Sequence, residues 1–427
     1  MHSPPHPLSL LPCSRALVAA ALVLATVTTT ARAQTDSLSA TRPAAGITLA
    51  EAIRRALHDN PDVLVSRATV DSATAERHIA SALPNPVLAG LPNSPYQYSA
   101  SIALDVTPQR YYRTKTASLG AGAVSFDRRD VERQVTRAVA RSFFDELLAQ
   151  ERLRLGIANR DAIAQILRAD SARFESGDVP ALSLARSEVE LVRAEADLAR
   201  RRADVRAARF ALQAAIGSQH TDTSFTALGS LEFRASKVSG DSVLAVAKLH
   251  RPDLLAAGER VTQSESARRT AASLLFPTPT FSYVRQTTGP FDTGHFYSYG
   301  LSFELPSLNV YRGERERAEA GMTAASVNQR RASAQVERDV TDALAEYNAQ
   351  RQLVERYRAG LLAKVDSGVA AVQYAYSRGA ASLLEVLDAV RAQQDVRTEY
   401  LTALHDYWVS VYALDAAAAS DVVAVAP

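Results

Sequence analysis

The chain has 427 residues, of which 47% are hydrophobic, and this is enough for a large ordered structure of one or more domains. Its 48 basic and 46 acidic residues nearly balance, so no basic excess points to a nucleic-acid partner. The single cysteine excludes an intrachain disulfide framework and a paired-cysteine metal site.

Residues 1–33 have the composition of a cleavable secretory signal. Arg15 precedes the apolar run ALVAAALVLATVTTT, and the small residues of ARAQ follow that run. A membrane-spanning helix needs roughly 20 apolar residues, so a membrane anchor is the weaker interpretation. We expect cleavage after Ala33, which removes Arg15 and Arg32 with the cysteine and leaves 46 basic against 46 acidic residues. Residues 34–46 are then an N-terminal linker.

The rest of the chain contains the same pattern twice. AIRRALHDNPDVLVSRATVDS from Ala52 aligns with VLAVAKLHRPDLLAAGERVTQ from Val243, and VERQVTRAVA from Val131 aligns with VERDVTDALA from Val336. Self-similarity over nearly half of a chain indicates one duplicated structural unit. The predicted divisions are repeat 1 (47–220), a connecting segment (221–240), repeat 2 (241–415) and a C-terminal tail (416–427).

Each unit begins with a helical pattern and continues with a strand pattern. Residues 47–82 are rich in Ala, Leu, Arg and Glu, and Pro61 predicts a kink or break within them. In HFYSYGLSFELP of repeat 2, apolar residues alternate with Ser, Gly and Glu, which is the two-residue period of a strand, and 97–106 of repeat 1 alternate similarly. With the Gly/Pro loops before them, these patterns predict one β-hairpin per unit, at 84–107 and 278–305.

The third part of each unit is predicted to be a long helical hairpin. No proline lies between Pro108 and Pro180, and none lies between Pro306 and the terminal Pro427. At 1.5 Å per residue, an unbroken helix from Pro108 to Gly177 is about 100 Å long. Gly177 and Gly379 interrupt the helical pattern and predict the hairpin tips. Apolar steps of three, four or seven residues in repeat 2 predict a coiled-coil seam at Val336, Val340, Ala343, Tyr347, Val354, Leu361, Val365, Val369, Val372 and Tyr376.

The strand pattern fits a sheet with lipid on one face and water on the other. An antiparallel sheet that covers a soluble core has the same alternation, but the signal pattern and strand lengths near 9–11 residues favour the membrane. Membrane barrels have at least about 8 strands, so four strands per chain predict that several chains share one barrel. The predicted lipid-facing residues are Tyr98, Ile102, Leu104, Phe281, Tyr283, Tyr297, Tyr299, Leu301 and Phe303.

Two such repeats, together with LPNP, ALQAAIG and GLSFELPSLNVYRGERERAEA, resemble the outer-membrane efflux protein family typified by TolC. The likeness covers about 47–415. It implies a mainly α-helical trimer with a twelve-stranded outer-membrane β-barrel on a periplasmic α-barrel. It also implies docking to a periplasmic adaptor, or membrane fusion protein, and to an inner-membrane pump of the RND or ABC type. The implied function is passive export of drugs, metal ions or other small molecules, in efflux or type I secretion.

The resemblance places a channel constriction just beyond the second tip. Glu385 and Asp388 lie three residues apart on one helix face and match acidic positions that ring the periplasmic entrance in the family. Two carboxylates from each of three chains would favour cations, and their crowding would raise some pKa values. Two solvated residues on an exposed helix are the alternative. Tyr376 matches a tyrosine of the contacts that close the entrance, but the partners expected near Ala381 and Ser183 are missing.

The two tip turns resemble the places where family members meet adaptor helices. Turn chemistry alone also explains the glycines in these turns. The predicted adaptor contacts are Gly177, Asp178, Val179, Arg378, Gly379 and Ala380.

No enzymatic motif is present in the sequence. HExxH, GxSxG and a glycine-rich phosphate loop are all missing, so we predict no catalytic residue and no cofactor. The six histidines beyond the signal do not have the spacing of metal ligands. The alternative to a channel is a soluble periplasmic coiled-coil adaptor or scaffold, in which the strands form a small soluble sheet.

Overall fold

A computed structural model describes residues 46–92, 96–218, 225–234, 238, 240–287 and 294–423. The predicted signal at 1–33 lies outside these residues. The first half contains β1 (Gly46–Ile47), α1 (Leu49–Asp59), α2 (Pro61–Ser81), β2 (Val87–Leu91), β3 (Tyr96–Ala103), α3 (Pro108–Glu175) and α4 (Ala181–Ile216).

The second half contains the same series of elements. It consists of β4 (Thr226–Ala227), α5 (Gly240–His250), α6 (Pro252–Ser273), β5 (Pro279–Thr287), β6 (His295–Phe303), α7 (Arg312–Arg356), a π-helical turn (Tyr357–Leu361), α8 (Leu362–Ser377) and α9 (Leu383–Ala418). Two helices, a β-hairpin and a long helical hairpin thus occur twice. This order confirms the predicted fold class of two tandem repeats.

In repeat 1, the break between the first two helices is fixed by Asn60. Its side-chain oxygen accepts a hydrogen bond from the amide of Asp62 at 2.9 Å and so caps α2. Its side-chain nitrogen donates to the carbonyl of Ala215 at 2.9 Å, near the end of α4. There the chain turns at Gly217, whose φ is +88° and where an added Cβ would lie 2.6 Å from the Cα of Asn60. Glycine is therefore required at this close approach.

In repeat 2, Arg251 takes the place of Asn60. Its guanidinium is almost fully buried and donates to the carboxylates of Asp253, at 2.6 Å, and Asp339, at 2.8 Å. One of its nitrogens also lies 3.5 Å from the carbonyl of Ala417, near the end of α9. Both repeats thus tie the start of the second helix to the end of the helical hairpin, through the side-chain amide of Asn60 in repeat 1 and through the guanidinium of Arg251 in repeat 2.

The two β-hairpins form one antiparallel sheet in the order β2-β3-β5-β6. The central pair, β3 and β5, joins repeat 1 to repeat 2. In the described part of the chain, β2 and β6 each have one edge without a partner strand. β3 is shorter than the sequence pattern predicted. It ends at Ala103, so Leu104 follows the strand and donates its amide to the carbonyl of Pro279 at 2.7 Å, while Val106 is 81% exposed.

The largest apolar cluster surrounds the short parallel pair of β1 and β4, where α3 meets α9. The ring of Phe144 on α3 stacks on that of Trp408 on α9, with centroids 5.4 Å apart. Trp408 donates to the carbonyl of Glu232 at 3.0 Å, and Tyr407 donates to the carbonyl of Arg234 at 2.6 Å. These aromatic side chains therefore hold the connecting segment against the helices.

The long helices differ between the repeats. α3 is unbroken over 68 residues, which corresponds to about 100 Å. Between α7 and α8, Gly360 has a φ of +120°, and Leu361 of the predicted seam is 42% exposed at this break. Elsewhere the seam is buried at Val336, Val340, Tyr347, Val354, Val369 and Tyr376. Among the described residues, no helix is both long enough and apolar enough to cross a membrane.

Candidate functional site

Both hairpin tips have the same backbone geometry. Gly177 and Gly379 have φ values of +82° and +74°, which an L side chain rarely adopts. The amides of Asp178 and Ala380 each donate to the carbonyl five residues earlier, at 2.8 and 2.9 Å, as in the Schellman motif that closes a helix. Of the predicted adaptor contacts, Val179 is half-buried, and the exposed residues are Gly177, Asp178, Arg378, Gly379 and Ala380.

The tip charges have local contacts. The carboxylate of Asp178 accepts a hydrogen bond from the hydroxyl of Ser176 at 2.9 Å. The guanidinium of Arg378 lies 5.3 Å from the centre of the Tyr374 ring. Neither contact joins one hairpin to the other.

Glu385 is part of a capping box at the start of α9. Its carboxylate accepts a hydrogen bond from the amide of Ser382 at 2.6 Å, and its own amide donates to the Ser382 hydroxyl at 3.3 Å. These bonds favour the carboxylate, so the pKa of Glu385 is lowered. Within one chain, this direction is opposite to the rise expected for a crowded ring. The capping box was not among the features predicted from the sequence, although Ser382 and Glu385 have its spacing.

A buried polar network joins the two hairpins above their tips. The hydroxyls of Tyr376 on α8 and Ser187 on α4 donate to the two carboxylate oxygens of Asp170 on α3. Asp170 and Ser187 are fully buried, and Tyr376 is 8% exposed. The guanidinium of Arg173 lies 5.2 Å from the centre of the Tyr376 ring. The surrounding apolar side chains are Ile166, Val369, Val386, Leu387 and Val390.

The network supplies the partner of Tyr376 that the sequence did not reveal. The resemblance located that partner near Ala381 or Ser183, after the tips, whereas Asp170 precedes the first tip. The feature of the sequence that could have identified Asp170 is its spacing. Ile163, Ile166 and Asp170 follow one another at steps of three and four along α3. An acidic residue on a buried seam indicates a specific polar contact.

The Tyr376 hydroxyl remains a donor over a wide pH range. Burial, followed by its hydrogen bond to Asp170, raises the pKa of Tyr376 to about 12. The phenol is therefore protonated at neutral pH and remains the donor of the hydrogen bond to Asp170.

An ion pair forms a second link between the hairpins. Arg391 on α9 lies 2.7 Å from the carboxylate of Glu190 on α4 and 3.3 Å from that of Asp388 on its own helix. Asp388 is exposed, and its negative charge is partly balanced by Arg391. The carboxylate of Glu385 instead caps the start of α9. The two predicted constriction residues are thus electrostatically different.

Eight of the nine predicted lipid-facing residues lie on one face of the sheet, because residues directly opposite in the strand register share a face. This aromatic face contains Tyr98, Ile102, Phe281, Tyr283, Tyr297, Tyr299, Leu301 and Phe303. The ninth residue, Leu104, lies beyond β3. The other face is mostly small or polar and includes Ser99, Ser101, Thr280, Ser282, Ser298, Gly300 and Ser302.

The aromatic face is largely open in the single chain. Tyr299 is 73% exposed, and Leu301 and Phe303 are 56% and 52% exposed. A contiguous apolar surface of this kind marks a site of contact with a membrane or a protein. Among the described residues, no group of three or more His, Cys, Asp or Glu side chains is placed to hold a metal ion.

A sheet with one aromatic face, carried on long helical hairpins with ordered tips, defines a subunit of a membrane channel. The sequence model for the outer membrane efflux protein matches residues 52–218 and 243–420, which coincide with the two repeats. The chain therefore belongs to the outer membrane efflux protein family. It is the outer-membrane channel component of a tripartite efflux system, with a large periplasmic helical part. No curated protein matches it in sequence.

Solved channel structures have the same fold. CusC, described in connection with transmembrane channel formation, is 19% identical, with a TM-score of 0.75 over 90% of this chain and 95% of that chain. The CmeC outer membrane channel of Campylobacter jejuni is 14% identical, with a TM-score of 0.76 over 87% and 86%. The open state of the MtrE outer membrane channel of Neisseria gonorrhoeae is 19% identical, with a TM-score of 0.72 over 88% and 89%.

Proposed function

We propose that three copies of this chain form one passive duct, in which β6 of each copy pairs with β2 of the next. The observation that carries this proposal is a four-stranded sheet with an exposed aromatic face and two edges that lack partners in the described chain. An open sheet edge in hydrocarbon leaves backbone groups without hydrogen bonds, so closure is required. Three sheets of four strands give twelve, an even number as in bacterial barrels.

The exposed side of α4 supports a helical barrel below the sheet. Its apolar residues follow alternating steps of three and four, the spacing of a coiled-coil seam. Leu182 and Val192 in this seam are 62% and 65% exposed in the single chain. A neighbouring copy would cover the exposed apolar residues Leu182, Ala185, Val189, Val192, Ala196, Ala199 and Ala203.

Assembly and conduction test the duct together. The full chain, purified in detergent, is expected to migrate as a heat-resistant trimer, to crosslink to a trimer and to conduct ions across planar bilayers. A monomer that is soluble without detergent and does not conduct would instead support the soluble periplasmic adaptor or scaffold.

The exposed tips are the proposed docking surface for a periplasmic adaptor, which would connect the duct to an inner-membrane pump of the RND or ABC type. Their glycine turns place short, exposed backbone at the extreme end of each hairpin. Photocrosslinking residues at Asp178 and Ala380 are expected to capture an adaptor in cells, whereas one at Glu346, far from the tips on α7, is not. Equal capture from all three positions would contradict tip docking. The proposed cargo is drugs, metal ions or other small molecules.

The proposed constriction consists of Glu385, Asp388 and Tyr376 near the tips. In a trimer, the links of Tyr376 to Asp170 and of Arg391 to Glu190 would hold the hairpins of each chain together and keep the entrance narrow. Opening would require at least one of these links to break.

A further inference from the structure

The loop end of the sheet carries a pair of basic residues, Arg285 and His295, on its aromatic face. Arg285 on β5 lies opposite Tyr98 of β3 and Tyr297 of β6. His295, the first residue of β6, lies opposite Thr287, the last residue of β5. Since opposite residues and second neighbours along a strand share a face, Arg285 and His295 project from the side that carries the tyrosines.

The two side chains converge. A guanidinium nitrogen of Arg285 lies 3.5 Å from the Nε2 atom of His295, and both residues are exposed. The imidazole ring is 6.3 Å from the ring of Tyr297. Within the described residues, no carboxylate forms a hydrogen bond or ion pair with either side chain. Two adjacent nitrogen-bearing side chains of this kind are complementary to an external anion.

The surroundings of the pair point to the boundary of a bilayer. The next two rows toward the helices are Ala100, Tyr283 and Tyr299, then Ile102, Phe281 and Leu301, and none of these side chains is charged. A cation on a lipid-facing surface is costly at the bilayer centre and well tolerated near the interface. The pair therefore lies where an uncharged, aromatic band ends.

We propose that Arg285 and His295 bind the phosphate-bearing headgroup of an outer-leaflet lipid. The planar guanidinium matches two phosphate oxygens at once, and the imidazole supplies a donor beside it. This inference rests on the proposed function, because the duct places the aromatic face against lipid and the loop end on the side away from the periplasmic helices. Bound headgroups would fix the depth of the barrel in the membrane.

The test is lipid selectivity of the full chain in phosphatidylcholine bilayers. Electron spin resonance would compare spin-labelled phosphatidic acid, a phosphomonoester, with spin-labelled phosphatidylcholine in the motionally restricted layer around the protein. Wild type is expected to prefer phosphatidic acid by about fivefold, as for one basic residue near an anionic surface. The double variant Arg285→Gln/His295→Gln is expected to lose this preference.

Two control variants separate this site from general charge. Arg77→Gln removes an exposed arginine from α2, and Gln286→Ala changes the residue next to Arg285 on the other face, so both are expected to retain wild-type selectivity. If phosphatidylcholine is motionally restricted but the preference for phosphatidic acid is equal in wild type and the double variant, the headgroup site is overturned and the duct is not. An absence of restricted lipid of either kind would overturn the duct, and with it the site.

Discussion

Asp170 is a fully buried carboxylate that accepts bonds from two hydroxyls, one on each helical hairpin. Hydrogen bonds to a charged group contribute more than neutral ones, and a buried carboxylate that loses a donor keeps its desolvation cost. The hydroxyl of Tyr376 therefore links the two hairpins near their tips, and the hydroxyl of Ser187 holds the same carboxylate from within the first hairpin.

Replacement of the tyrosine tests this link. Tyr376→Phe keeps the ring but leaves one oxygen of Asp170 without its donor, at a cost of roughly 1.5–3 kcal/mol. Hydrogen exchange of the amides near both tips is expected to accelerate by about tenfold or more. The matched control is Tyr374→Phe, because Tyr374 lies on the same helix and is 64% exposed. Equal exchange in the two variants would remove the network as a link.

Asp415 near the end of α9 gives a pH prediction at the same scale. Its carboxylate accepts the amides of Val422 and Val423 at 2.9 and 3.0 Å. Burial raises its pKa from 3.8 to about 6, with a smaller effect of Asp421 in the same direction. Because the folded pKa exceeds the unfolded one, the protonated group stabilises the fold; this contribution is complete below about pH 4 and is lost as pH rises through about 6.

The variant Asp415→Asn removes this titration and keeps an oxygen acceptor. Its thermal unfolding midpoint in detergent is expected to exceed that of wild type at pH 7.5, and the difference is expected to vanish as pH falls toward 4. Asp421→Asn, at an exposed neighbour, is the control; it removes only the smaller cause of the raised pKa of Asp415 and should differ from wild type much less than Asp415→Asn does. A constant difference between Asp415→Asn and wild type across this range would contradict the assignment.

The site residues show where sequence reasoning reaches its limit. Gly177 and Gly379 were predictable as tips, because glycine interrupts a helical pattern for a backbone reason that acts locally. The pairing of Tyr376 with Asp170 depends on which of four packed helices brings an acid to the tyrosine, and no local pattern contains that information. The capping role of Glu385 was readable from its spacing to Ser382, since Ser followed three residues later by Glu is the capping-box pattern.

At the scale of elements, the two long hairpins differ in the helix break at Gly360. When the two repeats are aligned in sequence on their tip glycines, Gly360 corresponds to Ala158, where α3 continues without a break. Gly360 has a φ of +120°, and its α carbon faces open space, so backbone conformation alone separates it from alanine. The break was accessible from sequence as an isolated glycine in a helical pattern, but the seam residues on both sides predicted a continuous helix.

The variant Gly360→Ala should be destabilised, because a residue in this backbone region costs roughly 1–3 kcal/mol. Its control is Gly368→Ala, an exposed glycine inside α8 with no neighbour within 4 Å of an added Cβ. That change should stabilise the chain by up to about 1 kcal/mol, since alanine favours helix. Thermal unfolding of the two variants in detergent is therefore expected to shift in opposite directions. A shift in the same direction would show that the break is not a property of the glycine backbone.

Across the whole molecule, the two repeats share one order of elements, and the sequence differences between them make repeat 2 structurally different from repeat 1. The order of helices, β-hairpin and helical hairpin was predictable because the same helical and strand periodicities occur in both units. The end of β3 at Ala103 was not, because Leu104 and Val106 continue the alternation after pairing has stopped. The helix break at Gly360, the capping box and both carboxylates of the proposed constriction all belong to repeat 2.

A ring of charge exists only in the assembled molecule, so its test is a property of the channel. Glu385→Gln/Asp388→Asn removes two charges per chain and keeps an acceptor for the amide of Ser382. The cation preference of single channels and their block by multivalent cations are expected to weaken, because an acidic ring favours cations. The control, Glu175→Gln/Asp178→Asn, removes the same charge from the first tip. Only the second-tip variant should change selectivity, whereas equal effects would attribute the preference to the overall negative potential of the tips.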